Sequence, residues 1–138
     1  MKKNYLVSLF LLLCSCLVNA ELAVIVHPDN GNTVSQDQLK RIFLGKLKNF
    51  EDGSRALVFN QKAETSIRVV FDEKIIKRTP SQMKAYWAKE VFSGKASAPI
   101  ELASDAEVID AVKSTPGAIG YIDINSPRDG LRVIYTVK

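Results

Sequence analysis

Cysteine is almost absent from this chain. Cys14 and Cys16 are the only two in 138 residues, and both fall in the first twenty. If that segment is removed, no disulfide and no thiol nucleophile remain, so the domain depends on its apolar core, as a chain of this size can. Histidine is equally scarce. His27 stands alone beside Pro28, which reads as a surface turn residue rather than a base, and no His, Cys or carboxylate spacing suits a metal. No charge of one sign dominates. The chain has 19 basic residues; without Lys2 and Lys3, 17 face 15 acidic ones from Glu21 onward, a balance of +2 that gives nucleic acid little to hold. There is no phosphate-loop or dinucleotide glycine pattern, and no nucleophile elbow to support a serine triad. The expectation is a non-enzyme: no catalytic residues, no cofactor, no metal and no nucleic acid.

One long apolar run is present, Tyr5 to Val18. It follows Lys2 and Lys3 and precedes Val18-Asn19-Ala20, the order of an export signal cut after Ala20. The run is short for a membrane span, which needs ~20 apolar residues. The reading is a signal peptide over 1–20, a domain over 21–138, and a periplasmic or secreted protein. Leu13-Cys14-Ser15-Cys16 loosely matches a lipobox and offers the alternative of a lipoprotein anchored through Cys16.

The rest alternates between short apolar runs and capped amphipathic stretches. Leu22–Val26, Ala56–Phe59, Gly117–Ile122 and Leu131–Val137 read as strands. Ser35 with Gln38 predicts a capping box ahead of Leu39, Ile42 and Phe43, with Gly45 ending that helix. A second helix carries Ile67, Val70, Phe71 and Ile75. A third opens at Thr79-Pro80-Ser81-Gln82 with Met83, Trp87 and Val91 as its inner stripe, and a fourth opens at Ser104 with Glu107. Tyr86 and Trp87 are read as rim and core rather than as a ligand platform. Strands alternating with helices predict one α/β sandwich around a small sheet.

The stretch QKAETSIRVVF, Gln61 to Phe71, poses the functional question. Free backbone N–H groups and the helix dipole favour an anion at such a start, and Thr65, Ser66 and Arg68 could add hydroxyls and charge. Equally, Thr65 or Ser66 could be a simple cap, with Glu64, Arg68 and Asp72 forming an i, i+4 ladder on the solvent face. Lys40, Arg41, Lys46 and Lys48 form a second basic group, read as solvated surface.

QLKRIFLGKLKNFEDG, NQKAETSIRVVF and STPGAIGYID, in this order, resemble the PstS-like phosphate-binding proteins of ABC transporters, in particular small single-lobe exported members. The resemblance runs from about Ala23 onward. It implies a single-lobe type 2 periplasmic-binding-protein-like fold, a small mixed sheet with about four helices. It also implies phosphate or a related oxyanion as ligand, and an ABC permease as partner. In larger relatives this helix start reads R-x-x-G-S-G-T-R. On that pattern Gln61 takes the first arginine, Glu64 the first glycine, Thr65 the serine, Ser66 the second glycine and Ile67 the threonine. Gln61, Thr65, Ser66, Ile67 and Arg68 are therefore the expected oxyanion site. One cation and one hydroxyl are missing and Glu64 adds negative charge, so binding is expected to be weak. The alternative function is an orphan lobe that docks onto another envelope protein.

Overall fold

The computed structural model describes residues 21–138; the expected export segment, both cysteines and the Cys16 alternative lie outside the described residues. Leu22–Val26 forms β1, with every residue buried, as a run apolar on both faces requires. It lies between β4 (Ala118–Asp123) and β5 (Arg132–Val137) and is antiparallel to both. On the far side of β4, β2 (Leu57–Gln61) runs parallel to it and to the short β3 (Ile100–Leu102). The sheet order is β3-β2-β4-β1-β5.

Among the described residues, four α-helices cover the two faces. α1 (Gln36–Phe43), α2 (Ser66–Phe71) and α3 (Pro80–Phe92) share one core with Val24, Ile119 and Tyr121, in which Leu39, Ile42, Phe43, Phe71 and Met83 are buried. α4 (Asp105–Ser114) lays Val108, Ile109 and Val112 on the opposite face, against Ala23, Ile25 and Ile122. Each such side chain contributes about 1.5–3 kcal/mol when fully buried. The capping boxes at Ser35/Gln38 and Thr79/Gln82 are both formed. At α4, Ser104 accepts from Glu107 N, while the Glu107 carboxylate reaches one residue further back, to Ala103 N.

The α/β sandwich and its helices agree with the sequence reading, with three corrections. β3 was not expected. It is three residues long and half exposed, too short to leave an alternating pattern. The second helix does not continue as α-helix: after Phe71 it widens into a π-helical turn, Asp72–Ile76, closed by Lys77 at φ 63°. The stripe Met83–Trp87–Val91 also stops early. Met83 is buried and Trp87 partly so, but Val91 is 52% exposed and Phe92 95%, because the last turn of α3 runs past the core into solvent.

The PGAIGY segment is explained by close packing. A Cβ on Gly117 would sit 2.6 Å from the Arg55 carbonyl oxygen, and one on Gly120 would sit 2.7 Å from Val108 Cγ1. These glycines let β4 approach the chain entering β2 and let α4 lie on the sheet.

Candidate oxyanion site

β2 delivers Asn60 and Gln61, both 2% exposed, to its carboxyl end. Lys62 to Glu64 then turn the chain into α2. Thr65 fixes the turn: its N–H and its hydroxyl both donate to the Lys62 carbonyl, at 3.0 and 2.8 Å, and Oγ1 accepts from Arg68 N at 3.3 Å. Thr65 is thus the N-cap. Ser66 and Glu64 are exposed and Ile67 is half-buried. The N–H groups of Ser66 and Ile67 find no acceptor among the described residues, as the first amides of a helix commonly do not.

Arg68 is not on the solvent face. It is 4% exposed, and its partner Asp72 is 1% exposed. Nε donates to Asp72 Oδ2 at 2.8 Å, and Nη1 donates to the Gln61 carbonyl at 2.7 Å and to Glu101 Oε1 on β3 at 3.3 Å. The expected solvent ladder of Glu64, Arg68 and Asp72 is therefore corrected. Arg68 and Asp72 lie on the same helical face as Phe71 and Ile75, and the pair is inside. Burial pushes the Asp72 carboxyl above its ordinary 3.8, with the Arg68 guanidinium opposing and the Glu101 charge adding to the rise. Burial is the strongest influence and disfavours the Arg68 cation, but the Asp72 charge, Tyr121 and the hydrogen bonds to Asp72 and Glu101 together outweigh it, so Arg68 stays charged.

The side chain of Gln61 points away from the loop. Its amide donates to Asp105 Oδ1 and to the Tyr121 carbonyl, tying β2 to α4 and β4. Asp105 Oδ2 in turn accepts from Asp123 N at 3.0 Å and Ser126 Oγ at 2.6 Å. The Tyr121 hydroxyl donates to Asn60 Oδ1, its ring stacks on Phe71 at 3.9 Å, and burial drives its pKa far upward. Of the five expected site residues, Thr65, Ser66 and Ile67 form the exposed helix start. Arg68 lies behind it with its charge engaged, and Gln61 is occupied elsewhere. Asn60, Asp72, Glu101, Asp105 and Tyr121 complete the polar layer beneath; of these the sequence reading named only Asp72, and on the solvent face.

His27 accepts from Asp29 N through Nδ1 and shapes the turn after β1. Arg41, Lys46 and Lys48 are exposed and Lys40 half-buried. No helix among the described residues is long and apolar enough to cross a membrane.

A family model described as the PBP superfamily domain matches residues 16–135, and the chain belongs to that superfamily. Among solved structures, an ABC-type phosphate transport receptor from Vibrio cholerae shares the fold with a TM-score of 0.64 at 19% identity, over 83% of this chain and 46% of that one. A candidate phosphate ABC transporter substrate-binding protein with bound phosphate, from Clostridium perfringens, matches at 0.64 and 20%, over 83% and 45%. PstS from Borrelia burgdorferi matches at 0.63 and 21%, over 83% and 47%. The chain thus spans about half the length of each. No curated protein matches it by sequence.

Proposed function

We propose that this domain is an exported, non-enzymatic solute-binding lobe that takes phosphate or a similar oxyanion weakly at the start of α2, in the service of an ABC permease. One observation carries the reading: the Ser66 and Ile67 amides are unpaired at an exposed helix start, next to the Ser66 hydroxyl and at the carboxyl end of β2. The likeness of fold to phosphate receptors supports it. The geometry also argues for low affinity. Thr65 Oγ1 already donates and accepts, Arg68 is already shared between two carboxylates, and a single lobe walls the anion on one side only. A Kd near ~1 mM corresponds to only about −4 kcal/mol. Of the expected set, Ser66 and Ile67 make direct contact, Thr65 holds the loop, Arg68 braces the helix from behind with its charge engaged by Asp72 and Glu101, and Gln61 holds the strand beneath.

NMR titration of the domain with sodium phosphate, against sodium chloride at equal ionic strength, tests this. Saturable amide shifts centred on Glu64 to Arg68 and reduced in Ser66→Ala are expected. Shifts that chloride reproduces, or that spread over surface lysines, would remove the oxyanion function. Intact-mass analysis of the protein from its native cell tests export: cleavage after Ala20 is expected, and a lipid on Cys16 would place the lobe on a membrane.

A further inference from the structure

A cleft of about 360 Å³ opens between the C-terminal part of β2, the first turns of α3 and the chain leading into β3. It lies beside the α2 start; Arg68 is among its walls, whereas Thr65, Ser66 and Ile67 are not. Pro80, Met83, Trp87 and Pro99 make it apolar, while Asp72 and Glu101 bring two carboxylates to it. Asp72 is 1% exposed, and its Oδ1 is buried with no hydrogen-bond partner among the described residues. Arg68 uses Nε on Asp72 Oδ2 and divides Nη1 between Glu101 and the Gln61 carbonyl. One guanidinium thus serves two carboxylates and leaves an anionic oxygen unserved. Lys84 also borders the cleft but makes no ion pair with either acid. A buried anionic oxygen without a donor is costly, and native chains rarely leave one so. A ligand that brings the donor removes that cost.

The geometry points to this cleft as a second binding site, for a small organic ammonium ion with an apolar body. The ammonium meets Asp72 Oδ1 and the Glu101 carboxylate, and the body lies against Pro80, Met83 and Trp87. The two sites share Arg68, but they differ in sign of ligand and in the groups that meet it, Ser66 and Ile67 at one and Asp72 and Glu101 at the other, so either can fail without the other.

Trp87 is the only tryptophan in the sequence and lines the cleft, so its fluorescence and its indole N–H resonance report occupancy. The probe is benzylamine, with benzyl alcohol and benzoate as neutral and anionic counterparts of similar shape. Saturable changes with benzylamine at millimolar concentration are expected, at least about tenfold tighter than with either counterpart. Glu101→Gln, at a half-exposed position that the fold tolerates, is expected to weaken benzylamine about fivefold to tenfold while leaving benzyl alcohol unchanged. Equal binding of benzyl alcohol and benzylamine would make the cleft an apolar pocket and overturn the proposal. Tighter binding of benzoate, or no saturable response to benzylamine, would overturn it as well. Phosphate is expected to leave the indole N–H unmoved.

Discussion

Replacing Arg68 by alanine should cost this domain far more than a surface charge would. The guanidinium is 5% exposed and sits 2.8 Å from a carboxylate that is 1% exposed. Its removal strands the Asp72 charge in the interior and leaves the Gln61 carbonyl without its 2.7 Å donor. Breaking a buried pair from one side typically costs about 3–5 kcal/mol. The Glu101 contact adds little, because that side chain is 50% exposed and water replaces the lost partner. Single domains have only ~5–15 kcal/mol in total, so the variant should be marginal. With a urea slope near ~2 kcal/mol per molar, the midpoint should fall by roughly 2 M. Equilibrium urea unfolding followed by Trp87 fluorescence and circular dichroism measures it. The double variant Arg68→Met, Asp72→Leu removes both charges and should recover most of the loss, since an apolar replacement of a buried pair is often neutral. A midpoint within ~0.3 M of the parent for Arg68→Ala, below the resolution of such extrapolations, would refute the reasoning. Arg68 would then be solvated and free to meet an anion directly.

Other perturbations separate further parts of the account. Gly117→Ala should destabilise by about 1–3 kcal/mol, because its Cβ would lie 2.6 Å from a backbone oxygen, whereas Gly31→Ala, with nothing within 4 Å, should stay within ~0.5 kcal/mol by urea midpoint. Burial raises the Asp72 pKa, so the folded state holds its proton more tightly than the unfolded chain does. That contribution is complete below the ordinary value of 3.8 and is lost as pH rises through the folded value. Asp72→Asn should therefore gain stability relative to the parent as pH rises from ~4, and a relative loss over that range, read by urea midpoints, would contradict it. Trp87→Ala should cost less than the ~3–5 kcal/mol of a fully buried tryptophan, because the ring also lines an open cleft; thermal unfolding by circular dichroism decides.

Much of the fold is legible in the sequence because its signals are local. Leu22–Val26 is apolar without interruption, so it had to be a strand covered on both faces. Ser35/Gln38 and Thr79/Gln82 fix two helix starts by hydrogen bonds that span three residues. What escapes depends on partners far along the chain. β3 exists because Phe59 to Gln61 offer it a parallel edge, and its own three residues carry no period. At the site, Thr65 as N-cap follows from local pattern, but the fate of Gln61 depends on Asp105, 44 positions away. The placement of Arg68 was in principle readable. Arg68, Phe71, Asp72 and Ile75 follow the three-and-four spacing of one helical face, and charges at two of the four positions hid a buried stripe. An i, i+4 ion pair shows the same pattern on either side of a helix, and the phase of the flanking apolar residues tells the two apart.

The position of β1 has a consequence in time. Among the described residues it is the first strand in chain order, yet its neighbours are the fourth and fifth, with Val24 facing Tyr121 and Tyr135. About 100 residues must be added before the centre of the sheet can close, roughly 5–20 s at common rates of synthesis. Over that interval Leu-Ala-Val-Ile-Val has no β partner, and contacts of such long range are slow to form even afterwards. A chain built this way keeps its central strand open until residues 118–137 have been made, so the sheet closes late and from the middle outward.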